Sequence, residues 1–246
     1  MNITSGSRGI ASLAAAATLS IASSTISFAQ DVNADLGFMV SIPQGEFREK
    51  VKDPGFGLNA NVDYRIPGSP VYAGIEGGFV TYGSETRREP FSPNIPDVTV
   101  EVENSNNIAL GNIFLRLQPD MDVVTPYIDG FVGINYLFTS TSVRNIGGFD
   151  ENVATSTNLD DAAFSYGGGA GMMIRLFHED NPTIDAEGNT SFRDGYLDLR
   201  VRYARGEEAR YLTSGSIVRE GGSVRYNVTE SRTDMLTALV GFTARF

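Results

Sequence analysis

The chain has 246 residues, 41% of them apolar, and a formal net charge of −11 at pH 7; that is enough material for one large folded domain and argues against global disorder. The absence of cysteine excludes a disulfide framework, a thiol nucleophile and a cysteine-ligated metal. The acidic balance argues against nucleic acid as a partner and against adhesion to an anionic lipid surface, and the single histidine, His178, leaves little for imidazole chemistry.

Residues 1–29 begin with a short polar region holding Arg8, continue through an Ala-, Leu- and Ile-rich stretch from Ile10 to Ile26, and end in Ser27-Phe28-Ala29. This is the pattern of a secretory signal peptide, with cleavage expected after Ala29. Ser and Thr interrupt the apolar stretch short of the roughly 20 residues a spanning helix needs. Residues 30–246 then form a single domain. No later apolar run reaches helical spanning length, so a membrane-embedded domain would have to be a closed barrel.

From there on the sequence has a period of two, the signature of strands. The first strand, Asp35 to Ile42, sets Leu36, Phe38, Val40 and Ile42 against Gly37, Met39 and Ser41. A break at Pro43-Gln44-Gly45 follows. The second strand starts near Gly55 and opposes Phe56, Leu58, Ala60, Val62 and Tyr64 to Asn59, Asn61, Asp63 and Arg65. The turn Pro67-Gly68-Ser69-Pro70 leads directly into a third strand, with Val71, Ala73, Ile75, Gly77 and Phe79 on one face, so these two form an antiparallel hairpin.

Tyr82 to Asp97 is charged and proline-bearing and is expected to be a surface loop. The fourth strand is predicted over Asn107 to Leu117, with the alternating Val98, Val100 and Val102 extending it beyond a membrane. The fifth covers about Tyr127 to Thr139. A second polar loop is expected over Thr141 to Asp161, and the sixth strand runs from Phe164 to Leu176. His178 to Asp194 reads as polar and turn-rich, and Gly195 to Ala204 as the seventh strand. Arg205 to Arg232 is a further long loop, with a protruding hairpin expected around Glu220-Gly221-Gly222.

The eighth strand ends the chain. In MLTALVGFTARF, Leu236, Ala238, Val240, Phe242, Ala244 and Phe246 make an apolar face, opposite Thr237, Gly241, Thr243 and Arg245. The ten prolines stay out of the predicted strand centres, as paired strands require.

A soluble barrel turns its apolar face inward, and a membrane barrel reverses this. The polar face carries glycine beside isolated charges: Asp63, Arg65, Glu76, Arg116, Asp129, Arg175, Asp198, Arg200, Arg202 and Arg245. Small residues with a few charges of both signs suit a narrow lumen better than a water-exposed surface. Arg65, Arg116, Arg175 and Arg245 are each expected near a short-turn end, at the depth of Asp63, Asp129 and Asp198. That depth predicts a layer of Arg–carboxylate pairs closing this half of the lumen.

The signal peptide, the eight amphipathic strands, the alternation of long and short connections and the terminal GFTARF together resemble the OmpA/OmpX-type small outer-membrane β-barrel family. The resemblance covers essentially the whole mature chain. It implies an all-β fold, an eight-stranded antiparallel up-and-down transmembrane barrel in the outer membrane. It also implies outer-membrane lipid as surroundings, recognition of the strand ending at Phe246 by the barrel-assembly machinery, and a monomer. The connection between the sixth and seventh strands is long for such a barrel, and no peptidoglycan-binding domain follows the last strand.

No catalytic, cofactor or metal residues are assigned. His178, beside Glu179-Asp180, is expected to be a solvated turn residue on the side away from lipid A. Asp160-Asp161 and Glu207-Glu208 read as solvated loop carboxylates. Asp185-Ala186-Glu187-Gly188-Asn189 lacks the spacing of a calcium loop, and Gly167-Gly168-Gly169-Ala170-Gly171 reads as close strand packing and not a phosphate loop. The leading expectation is a structural or surface-interaction barrel, acting through its second to fourth outer loops. The alternatives are a narrow channel for ions or small solutes and a soluble exported lipocalin-like barrel; a lipid-modifying enzyme is weaker still.

Overall fold

Strand pairing closes the chain on itself. In the computed structural model, which describes residues 32–92, 95–145, 152–179, 193–213, 215–220 and 223–246, eight strands form an antiparallel barrel. They are β1 (Val32–Pro43), β2 (Gly55–Arg65), β3 (Val71–Ser92), β4 (Ile95–Leu117), β5 (Val124–Asn145), β6 (Asn152–His178), β7 (Asp194–Gly206) and β12 (Met235–Arg245). Each pairs with its neighbours in sequence order, and β1 and β12 join to complete the ring. Residues 1–29, expected as a signal peptide cleaved after Ala29, and the Asp185–Asn189 segment lie outside the described residues.

The alternation in the sequence maps onto the two sides of the wall, and burial shows which side is which. Along β1 and β12, Leu36 pairs with Phe242, Phe38 with Val240 and Val40 with Ala238, all on the outside. Phe38 is 76% exposed, whereas Arg116 on β4 is 1% exposed. Leu58, Ile75, Ile113, Leu115, Ile128, Ile134 and Val201 continue the outer apolar surface around the barrel. Aromatic rings gather at its two edges: Phe79, Tyr136, Phe138, Phe164 and Tyr166 toward the long-hairpin end, and Phe177 stacked on Phe242 toward the other. This is the reversed pattern of a barrel made for lipid, and the apolar ligand cavity of a lipocalin-like barrel is not what fills this interior.

The short turn joining β2 and β3 takes the predicted form. Ile66 N–H donates to Val71 O at 2.8 Å, and Gly68 adopts φ 72°, a backbone conformation that glycine enters without a Cβ penalty.

The long connections depart from expectation. Most of Tyr82 to Asp97 and of Thr141 to Asp161, expected as loops, is strand: β3 and β4 pair as far as Ser92 and Ile95, and β5 and β6 as far as Arg144 and Asn152. The reason is environmental. Once a strand leaves the apolar layer neither face needs to be apolar, so the period-two signal fades while backbone pairing continues. A strand of 23 residues such as β4 corresponds to about 58 Å of height at ~3.3 Å per residue and ~40° tilt, more than twice the roughly 25 Å apolar band.

These four strands therefore rise as one sheet on one side of the barrel. Its two outer edges start where β2 ends its pairing, at Thr81, and where β7 ends its own, at Ser165.

On the opposite side the chain folds over the barrel mouth. After Pro43 a short helix, α1 (Gly45–Lys50), takes the place of the predicted break. The Arg205–Arg232 segment is itself mostly strand: β8 (Glu208–Tyr211) pairs with β11 (Thr229–Arg232), and β9 (Ile217–Glu220) with β10 (Ser223–Tyr226). The β9–β10 pair is the hairpin expected around Glu220-Gly221-Gly222.

Candidate functional site

The lumen is where the sequence concentrates unusual chemistry. Inward positions of every barrel strand carry polar or charged side chains, and alternation alone aims them at a common axis. Arg202 on β7 holds Asp129 on β5 through Nε–Oδ1 at 2.9 Å and Nη2–Oδ2 at 2.7 Å, and reaches Glu76 on β3 through Nη1–Oε2 at 2.6 Å. Arg200 adds a charge contact from Nη1 to Glu76 at 3.2 Å and a hydrogen bond from Nη2 to Asn59 Oδ1 at 3.0 Å. Asn112 Nδ2 completes the Glu76 carboxylate at 2.9 Å.

A second group lies toward the short-turn end. Arg116 Nη1 meets Asp63 Oδ2 at 3.0 Å with both side chains fully buried, and its guanidinium stacks over the Tyr127 ring at 4.3 Å. Asn33 Nδ2 donates to the other oxygen of Asp63 at 2.7 Å. Arg245 Nε donates to Asn33 Oδ1 at 3.0 Å and its Nη1 to the Tyr196 hydroxyl oxygen, also at 3.0 Å. Asp35 accepts from Asn61 at 2.8 Å and from Thr243 at 3.0 Å, and Tyr127 donates its hydroxyl to Asp198 Oδ1 at 2.6 Å.

Five inward carboxylates, Asp35, Asp63, Glu76, Asp129 and Asp198, thus face four inward arginines, Arg116, Arg200, Arg202 and Arg245. Buried charges of this kind persist where a counter-charge or several hydrogen bonds meet them; alone, each would be costly. Asp198 is the exception among the five carboxylates, with the Tyr127 hydroxyl on Oδ1 and no partner on Oδ2 among the described residues.

Two of the expected members stand elsewhere. Arg65 and Arg175 lie at the short-turn rim, facing the solvent-exposed Asp120 at 3.6 Å and Asp122 at 3.2 Å. A register shift between Arg175 and Phe177 ends the regular alternation just past Arg175, since a bulge re-aims the side chains beyond it. It also turns Phe177, which strict alternation from Arg175 would place inside, out onto the aromatic edge. The centre of the network belongs instead to Arg200 and Arg202 on β7. Their alternation placed them on the polar face, but no local signal gave their depth.

The glycine run on β6 makes room for this crowd. A Cβ on Gly169 would meet Arg202 Cγ at 2.5 Å, and one on Gly171 would meet the Tyr127 ring at 2.4 Å. Between the network and the long-hairpin end, Glu76, Asn112, Asn135, Arg200 and Arg202 border a cavity of about 30 Å³, room for about one water.

Above that cavity the inward face changes character. Phe47 and Val51, from α1 and the residue after it, pack into the mouth against Tyr82, Ile108, Leu137, Tyr211 and Met235, all less than 10% exposed. The Phe47 ring meets Tyr82 at 5.7 Å and Tyr211 at 5.2 Å, both edge-on. Tyr211 exchanges a hydrogen bond with Ser231 across β8 and β11 at 2.7 Å. Burial pushes its phenol above the usual tyrosine range, so it stays a neutral hydrogen-bonding group. The lid is tied down at Asp234, which accepts from Gly206 N–H at 3.0 Å and Tyr203 OH at 3.1 Å. Sequence reasoning missed this plug. Its signal was present in Leu137 and Met235, apolar residues on an otherwise polar face.

His178 is more than a solvated turn residue. It ends β6 at the short-turn rim with Nδ1 2.6 Å from Asp194 Oδ1, while Arg193 Nε holds the other oxygen at 3.1 Å. Of the expected loop carboxylates, Asp161 accepts from Arg210 N–H at 2.8 Å and so ties β8 to β6. Among the described residues no three His, Cys, Asp or Glu side chains gather as a metal site would require.

No family model matches the sequence, and no curated protein matches it. Solved structures that resemble the chain include Ail, the attachment invasion locus protein of Yersinia pestis, at 13% identity and TM-score 0.36, over 88% of this chain and 99% of that one. Neisserial surface protein A matches at 16% identity and TM-score 0.33, over 87% and 96%. A major outer membrane protein from Thermus thermophilus matches at 13% identity and TM-score 0.35, over 87% and 99%. The barrel assignment rests on this chain's own strand order, which closes at eight.

Proposed function

We propose that the chain is an integral outer-membrane barrel with a structural or surface-interaction role, its lumen shut by the Arg–carboxylate network and the apolar plug. The observation that carries this reading is the reversal of burial: Phe38, Ile75 and Ile113 are exposed on the outer wall while Arg116, Asp129 and Arg202 are buried in the lumen. The tall β3–β6 sheet is the surface offered to the outside, and outer-membrane lipid surrounds the barrel. The strand ending at Phe246 is the segment the assembly machinery reads, and the barrel acts as a monomer. Function in such a scaffold belongs to the projecting segments, while the barrel holds them in place. No enzyme chemistry is assigned to it.

Membrane fractionation with cold-gel electrophoresis tests the first part. Recovery with the outer membrane, and different migration of boiled and unboiled samples, is the expected result; a soluble periplasmic protein overturns it. Planar-bilayer recording tests the second. The expected trace is silent, and a steady single-channel conductance would favour the narrow-channel reading instead.

A further inference from the structure

The plug at the barrel mouth has two unequal parts, a wall and a stopper. Tyr82 on β3, Ile108 on β4, Leu137 on β5, Ala163 on β6, Met235 on β12 and Tyr211 on β8 form the wall, all of them buried. Five of these strands belong to the closed ring and β8 pairs with β11, so the pairing of every wall strand is made without α1.

The stopper is little more than one ring. From Gln44 to Pro54 only Phe47 and Val51 are buried, one helical turn apart on the same side. Glu46, Arg48, Glu49 and Lys50 are already exposed to water. The helix has six residues, and its N-cap, Gln44, makes no side-chain capping bond; so short a helix has little stability of its own. Outside the plug, Glu46 accepts from Arg232 N–H at 3.3 Å and Gln44 N–H donates to Asp234 O at 2.8 Å. A core residue on a paired strand is held by the ladder on both sides of it, whereas Phe47 is held chiefly by its own side chain.

The wall is shaped for an aromatic ring. Tyr82 and Tyr211 meet each other edge-on, with centroids 6.5 Å apart and planes at 83°. Phe47 lies edge-on against both, at 5.7 and 5.2 Å. Contacts of this geometry favour an aromatic ring over a saturated ring of the same size.

We propose that this cup is a binding site for a single aromatic ring from outside the chain, with Phe47 as its resident and displaceable occupant. The incoming ring takes the place of Phe47 between Tyr82 and Tyr211, and α1 swings out into water. The ring enters on the lid side of the plug and needs no open lumen. The site therefore adds a ligand to the structural role above and is independent of the lumen's conductance.

Phenol and cyclohexanol, rings of one size that differ in aromaticity, are titrated into the full barrel in detergent micelles, with hydrogen exchange as the readout. In the parent, phenol is expected to speed exchange over residues 45–51 to a plateau and to leave the amides of β1 and β12 unchanged. Cyclohexanol should need about fivefold more for the same effect. Phe47→Ala vacates the cup, so phenol should half-saturate it at a concentration about tenfold lower or less and slow exchange over residues 208–211. Heat-modifiability on a cold gel checks that this variant is folded; should it fail to fold, the parent titrations decide alone. A Gly-Tyr-Gly arm identifies the source of the ring. Binding beside phenol points to a side chain of a partner polypeptide, and phenol binding without it to a free aromatic molecule. Three results overturn the proposal: parent exchange over residues 45–51 that phenol leaves unchanged or speeds only together with the whole barrel, cyclohexanol as effective as phenol, or a folded Phe47→Ala variant that takes phenol no better than the parent.

Discussion

Arg202 is the residue on which the lumen network turns, and Arg202→Met tests whether the network holds the barrel together. Methionine fills much of the same space, so the change isolates the charge. Asp129 receives its hydrogen bonds from Arg202 alone among the described residues, whereas Glu76 keeps Asn112 at 2.9 Å and Arg200 at 3.2 Å. The substitution therefore strands one buried carboxylate, not two. Removing one partner of a buried pair costs about 3–5 kcal/mol, mostly as the desolvation of the charge left behind. If that is the origin of the cost, taking away the stranded carboxylate as well should return part of it. Arg202→Met with Asp129→Leu is then expected to be more stable than Arg202→Met alone. Urea titration in lipid vesicles, scored by the folded and unfolded bands of unboiled samples, measures both, and the double-mutant cycle gives the coupling. A single variant within 1 kcal/mol of the parent would refute the reasoning. So would a double variant whose loss equals the sum of the two single losses, since the two groups would then not be acting on each other.

Other outcomes follow from neighbouring features. Gly171→Ala pushes a methyl into the Tyr127 ring and should cost about 1–3 kcal/mol by overpacking; Gly77→Ala, with open space at its Cβ, should stay within about 0.5 kcal/mol in the same titration. Asp122→Asn removes an ion pair whose acid is 93% exposed, so its urea midpoint should match the parent, as surface pairs contribute little. Phe47→Ala empties the centre of the plug and should release the lid by about 3–5 kcal/mol. Hydrogen exchange should show this as faster exchange around residues 45–51 and 208–211, with the transmembrane amides unchanged; uniform acceleration through the barrel would contradict a separate lid. Replacing residues 85–103 by a short Asn-Gly turn should leave heat-modifiability intact, because the pairs it deletes, Glu85↔Asn104 to Ser92↔Ile95 on one side and Val100↔Asn145 to Glu103↔Ser142 on the other, lie beyond the apolar wall.

What the sequence determined by itself was everything set by alternation. Leu36, Phe38 and Phe242 on one face and Asp63, Arg116 and Arg202 on the other follow from a period of two, and the glycines and mixed charges of the second face identify it as the lumen. The number of strands and their antiparallel order also follow, because each apolar run is bounded by turn residues such as Pro67-Gly68. Depth and partner choice were left to the tertiary structure. Whether Arg116 meets Asp63 while Arg65 turns to Asp120 depends on strand register and on which side chains the closed ring brings to one depth, both set by pairing between strands. The tall sheet of β3–β6 was hidden for a different reason: outside the apolar layer a strand has no face to hide, so its sequence looks like that of a loop. The plug was hidden because Phe47, Tyr82, Leu137 and Tyr211 become a core only once the barrel brings four separate segments to one mouth.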